Sequence, residues 1–272
     1  MAQKSRVRIG AVSFLNTKPL IYSLLNSTPS NDEIELSVHV PSRLADLLTL
    51  GSIDVGLIPI IEFFRASEED PSLYRIIPDI SISSHGDVRS IQLLSRVPIS
   101  QIRSVGLDTG SRTSHALLRI VLTEKYDLQP TFSASPPSIE LRSADTDAVL
   151  RIGDSALRQL DSAPYSVDLG SEWNELTGLP FVYACWVARR DIDLKKVTQI
   201  LQEAKQLSIP HIPEIARVGA ETLGLSEALC NDYLTNRISY DLGDSEIAGM
   251  NRFYELAQRY DLAPPGISLR FT

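Results

Sequence analysis

At 272 residues, 43% apolar and 22% charged, the chain has the composition of a soluble globular protein, long enough for one large domain or two small ones. With 34 acidic against 26 basic residues the net charge is −8 and no long basic run occurs, which argues against nucleic acid as a partner. The two cysteines, Cys185 and Cys230, have no Cys-x-x-Cys or His-rich spacing around them, so neither a zinc site nor a disulfide framework is expected.

In chain order, the charged opening Met1 to Arg6 leads into an apolar run, Val7 to Val12, without a small-residue cleavage site. This reads as a strand rather than a signal peptide, and no apolar run approaches the ~18 to 20 residues of a membrane span. A cytoplasmic protein that does not enter the membrane is the expectation. Ser13 to Pro19 is then the turn into a helix at Leu20 to Leu25. Ile34 to Val40 alternates as a half-buried strand, and Pro41-Ser42 starts a helix that Gly51 stops. Asp54 to Ile58 is a short buried strand, and Pro59 opens another helix. Short links between strand and helix imply right-handed crossovers and a parallel sheet. Leu73 to Ser84 and Ser90 to Arg96 read as two further strands.

From Ser104 the pattern begins again: a strand to Asp108, a hydroxyl-rich turn from Thr109 to Ser114, and a helix from His115 to Tyr126. Residues 129–138, with three prolines, read as an irregular link, and Asp147 to Gly153 as a buried strand that echoes Asp54 to Ile58. Phe181 to Ala188 is a strongly apolar strand, and residues 193–260 show helical spacing almost throughout. The expected layout is therefore α/β with two lobes and a helical C-terminal part. Residues 1–93 with 184–272 form the larger lobe and residues 94–183 the smaller, with crossings near 93 and 184.

Such a chain presents strand ends and helix N-termini to a cleft between its lobes. The turns expected there are Ser13 to Thr17, Ser42 to Arg43, Ser83 to Asp87, Thr109 to Ser114 and Gly153 to Asp154. They are rich in hydroxyls, amides and backbone N–H groups, which suit carboxylates, and poor in ordinary bases. Plainer readings stand beside these: Thr109-Gly110-Ser111-Arg112-Thr113-Ser114 as an elaborate helix cap, Asp154 as another cap, and Arg43 as a solvated first-turn side chain. His115 is expected to point away along its helix, and the aromatic rings of Phe14, Trp173 and Trp186 to pack in the core or at the hinge. No P-loop, Gly-x-Gly-x-x-Gly or Gly-x-Ser-x-Gly is present.

The run Gly10-Ala11-Val12-Ser13-Phe14-Leu15-Asn16-Thr17-Lys18-Pro19-Leu20 resembles the opening motif of the chorismate dehydratase family, which begins the futalosine route to menaquinone. Pro41 to Asp46, Asp54 to Pro59, Ser81 to Ser84, Asp108 to Ser114, Ile152 to Asp154 and Gly178 to Tyr183 are similar to that family's other blocks, in its order. The resemblance implies a type II periplasmic-binding-protein-like fold. It also implies dehydration of chorismate, a small dicarboxylate, to 3-[(1-carboxyvinyl)oxy]benzoate without a redox or metal cofactor, because aromatisation drives the reaction. Ser111, Thr113 and Ser114 are then expected to hold one carboxylate, with Ser13, Thr17, Thr109, Gly110 and Arg112 in the binding turns and Arg43 a weaker choice for the other carboxylate. Asn16 and Ser84 are expected to position the substrate side chain or the leaving hydroxyl. The base is either Asp154 or the substrate's own enolpyruvyl carboxylate, with the latter favoured. Rival readings are a non-catalytic small-anion receptor of the same fold and the sister lyase that forms 1,4-dihydroxy-6-naphthoate. The sequence leaves a homodimer open.

Overall fold

A computed structural model describes residues 6–26, 33–68 and 70–272, so the expectation for residues 1–5 lies outside the described residues. The chain begins with β1 (Val7–Val12), whose carboxyl end turns through a single 3-10 turn, Leu15–Thr17, into α1 (Lys18–Asn26). Then come β2 (Ile34–His39), α2 (Pro41–Thr49), β3 (Val55–Pro59), α3 (Ile60–Ala66) and β4 (Tyr74–Ser84). β1 pairs in parallel with both β2 and β3. Helices cover the faces of this sheet, and every residue of β3 is buried, which is why it reads as a continuous apolar run without alternation.

A second sheet is built from β5 (Ile91–Ser95), β6 (Ser104–Asp108), β7 (Thr131–Ser135), β8 (Ala148–Ile152) and β9 (Tyr165–Asp168). α4 (Arg112–Tyr126), α5 (Gly153–Arg158) and α6 (Leu169–Thr177) belong to this half of the chain. The strand then returns as β10 (Phe181–Arg189), antiparallel between β3 and β4. The two orders are β2-β1-β3-β10-β4 and β7-β6-β8-β5-β9. α7 (Leu194–Ser208), α8 (Ile212–Leu223), α9 (Glu227–Asp232), a π-helical turn Tyr233–Arg237 and α10 (Asp244–Arg259) complete the chain.

The crossing points differ from expectation. Residues 93 and 184 fall inside β5 and β10, and the chain changes sheets earlier, along 85–90 and 169–180. The link expected to be irregular contains β7, an edge strand that pairs only with β6 and is bracketed by Pro130 and Pro136, where missing N–H groups do no harm. The short β9 was not anticipated either, nor was α6, which Asp168 caps and Gly178 ends in the left-handed conformation.

Asp168 fastens both crossings. Its carboxylate accepts hydrogen bonds from Val88 N (3.0 Å), Arg89 N (2.6 Å) and Gln92 Nε2 (2.6 Å) on the first, and from Gly170 N (2.9 Å) and Ser171 N (3.0 Å) on the second. Burial raises its pKa, against the opposing pull of the Ser171, Val88 and Arg89 N–H groups. Next to this hinge, Trp173 of α6 meets Phe181 edge-on at 5.1 Å, and Phe181 meets Phe253 of α10 at 4.9 Å. Trp173 and Trp186 are both fully buried, as core or hinge packing requires.

Candidate functional site

Between the sheets lies a cavity of about 60 Å³. Its polar lining comes from Asn16, Ser90, Ser111, Ser114 and Tyr183, and Phe14, packed against the core as expected, also forms part of its wall. Pockets that hold small ligands usually run to roughly 300–1,000 Å³, and the lobes are held together by hydrogen bonds from Leu15 N to Asp154 Oδ1 and from Ile61 N to Thr113 Oγ1.

The turn after β1 carries the least satisfied of these groups. Asn16 Nδ2 donates to the Tyr233 hydroxyl at 3.0 Å, while Asn16 Oδ1 is buried and has no hydrogen-bond partner among the described residues. Thr17 is buried with its hydroxyl in the same condition, and Ser13 is exposed outside the cavity. Phe14 lies across Gly153 of α5. With φ +55° and a Cβ position only 2.9 Å from that ring, residue 153 is held to glycine on both grounds.

The hydroxyl turn divides into groups that face the cavity and groups that bind the other lobe. Ser111 caps α4: its Oγ accepts from Ser114 N (3.3 Å) and lies 3.0 Å from Ser114 Oγ. Both side chains face the cavity. One of the pair's two hydroxyl protons closes the bond between them, and the other remains to be donated. Thr113 instead accepts the Ile61 N–H at 3.3 Å, reaching across to the first turn of α3. Arg112 pairs with Glu62 of α3 at 2.6 Å and with Asp46 of α2 at 3.7 Å, so its charge is already matched by the other lobe. Thr109 is exposed, and Gly110 N donates to Asp108 Oδ1 at 2.9 Å to shape the turn.

Several expected residues sit elsewhere. Arg43 is exposed on α2 and does not line the cavity. Ser84 is buried at the end of β4, where its Oγ bonds the Tyr183 hydroxyl (2.8 Å) and Gly86 O (3.0 Å), so it meets the cavity only through Tyr183. Asp154 opens α5, and its Oδ1 accepts the Leu15 N–H at 2.9 Å from across the lobes. Asp154 lines a separate groove with Ser13, Lys18 and Tyr22 and is not among the residues lining the cavity. Burial pushes the Asp154 pKa up.

His115 does not point away along α4. Its Nε2 turns back to the Asp108 carbonyl oxygen, and burial lowers its pKa. Asp108 is itself almost fully buried, with its pKa raised by that burial.

Three contributors, Ser90, Tyr183 and Tyr233, escaped the reading of the sequence. Tyr183 lies inside a block quoted for its family resemblance, which was the signal available. Tyr233 sits 217 residues from Asn16 in a helical tail that offers no local motif.

A family model described as menaquinone biosynthesis matches residues 7–259. The chain belongs to the menaquinone-biosynthesis family. A chorismate dehydratase of Thermus thermophilus is 31% identical over 234 residues, which cover 79% of this chain and 84% of that protein. Among solved structures, a protein from Archaeoglobus fulgidus matches at TM-score 0.76 and 18% identity, over 94% of this chain and 98% of that one. The periplasmic aliphatic sulphonate binding protein of Escherichia coli matches at TM-score 0.66 and 18% identity, over 96% and 89%. At such identities the likeness speaks for the fold, and this family member has the two-lobed periplasmic-binding-protein fold.

Proposed function

We propose that the chain converts chorismate to 3-[(1-carboxyvinyl)oxy]benzoate and water. Likeness to a chorismate dehydratase over most of both chains supports the activity. The structural observation that carries it is Asn16, a residue of the cavity wall whose amide oxygen is buried without a hydrogen-bond partner among the described residues. A buried acceptor in that state costs free energy that a bound hydroxyl recovers. Chorismate offers one hydroxyl, on C4, and two carboxylates.

The chemistry removes the C3 proton and the C4 hydroxyl, and the ring becomes aromatic. The C3 proton needs a base, and no carboxylate or histidine is among the described residues that line the cavity. Asp154 lines a separate groove and accepts from Leu15 N, Asp108 Oδ1 accepts from Gly110 N while its Oδ2 is buried without a partner among the described residues, and His115 Nε2 meets the Asp108 carbonyl. The enolpyruvyl carboxylate, attached through the C3 oxygen, can reach the C3 proton itself. It takes that proton as the C–O bond at C4 breaks and passes it to the departing hydroxyl, which leaves as water while the carboxylate is regenerated. The protein's share is orientation. Asn16 Oδ1 accepts from the C4 hydroxyl, while the remaining hydroxyl proton of the Ser111–Ser114 pair, at the N-terminus of α4, is donated to a carboxylate.

Incubation of the purified protein with chorismate, followed by ultraviolet spectrum and product analysis, tests the reading. The aromatic ether is the expected product. Tight binding without turnover would mark a receptor instead.

A further inference from the structure

We infer that Tyr233 is a positioning residue for this reaction, holding the Asn16 side chain in place in the cavity wall through its amide nitrogen. The inference rests on the role given to Asn16 above.

An asparagine amide can turn over by half a rotation at little cost unless one end is held. Here the nitrogen end is held. Asn16 Nδ2 donates to the Tyr233 hydroxyl at 3.0 Å, and Tyr233 is 1% exposed, so water does not compete for that hydroxyl.

The backbone that carries Tyr233 is built to keep it there. Tyr233 begins the π-helical turn that ends at Arg237, and the Ile238 N–H closes back on the Tyr233 carbonyl at 3.1 Å. Such turns recur at functional sites because they displace one side chain from the helical series. The residues on either side anchor the turn to the first crossing: Asp232 pairs with Arg89 at 2.9 Å and Arg237 with Asp87 at 2.7 Å. A tyrosine required only for packing would need its ring alone, since the hydroxyl brings a polar atom into the interior.

The test is a double-mutant cycle in the full chain with chorismate as substrate. Tyr233→Phe keeps the ring and removes one oxygen. Its kcat should fall by about 10- to 100-fold, the range for losing a group that orients a functional side chain, while KM changes little. On an Asn16→Ala background the same substitution should have no further effect, because the side chain it positions is gone. A crystal structure of Tyr233→Phe should show the Asn16 amide turned or in two orientations. If Asn16→Ala is slow but Tyr233→Phe turns over normally, the positioning role is wrong and the role of Asn16 stands. Losses that multiply in the double variant, with a matching fall in Tm, would reduce Tyr233 to a structural part. Normal turnover by Asn16→Ala would overturn both readings at once.

Discussion

Asp154 Oδ1 accepts the Leu15 N–H at 2.9 Å, so a side chain of one lobe caps the short turn of the other that carries Asn16. Thr113 does the same for α3 through Ile61 N. Helix starts that could receive a ligand's carboxylate are thus occupied by the protein's own oxygens while the lobes are together.

Asp154→Asn should preserve the cap, because the amide oxygen still accepts from Leu15. Burial raises the folded-state pKa above the unfolded value of about 3.9. The ionised carboxylate therefore costs stability, and that cost is absent below the unfolded pKa and complete above the folded one. Thermal melts should show Asp154→Asn stabilised at neutral pH and unchanged in strong acid. Turnover should fall only mildly, and a near-total loss would make Asp154 the general base.

Asn16→Ala should lower kcat by orders of magnitude with affinity nearly kept, since its contact with the leaving hydroxyl matters most in the transition state. Single-turnover kinetics alongside product binding by calorimetry would separate the two quantities. Weak binding with a normal single-turnover rate would contradict it.

Ser111→Ala and Thr113→Ala should part company. Ser111 faces the cavity and caps α4, so its loss should weaken binding by roughly 1 to 3 kcal/mol and lower stability by about 1 kcal/mol. Thr113 faces α3, so its loss should leave the intrinsic contacts to a carboxylate intact and alter closure instead. Equal losses of affinity in the two variants would place both hydroxyls on the substrate.

Asp168→Ala should strip the partner from N–H groups on both crossings and cost about 3 kcal/mol or more. Hydrogen exchange should rise first at Val88, Arg89, Gly170 and Ser171. Unchanged exchange there would show that the crossings are held by the aromatic packing of Trp173 and Phe181 alone.

Substrate entry requires the closed cavity to widen. Small-angle scattering should show the free protein more expanded than the protein with a substrate analogue. An identical radius of gyration in both states would contradict lobe movement.

Much of the architecture was legible locally. Buried central strands such as β3 and β8 announce themselves as apolar runs, and the amphipathic helices of the tail repeat at helical spacing, because each signal needs only its own residues. The turn from Ser13 to Pro19 and the hydroxyl turn from Thr109 to Ser114 were legible for the same reason. What the local pattern could not carry was partnership. β5 and β10 are as apolar as any other strand, so nothing in their own residues says which sheet they join, and the crossings lie outside both. β7 and β9 lie at sheet edges and are partly exposed, which blurs their alternation. Arg112 could equally meet a ligand or Glu62, and Asp154 could face either side of its turn. Those choices, and the bond from Tyr233 to Asn16 across 217 residues, belong to tertiary structure, because side chains distant in sequence compete for the same buried partners and only the packed chain decides which of them meet.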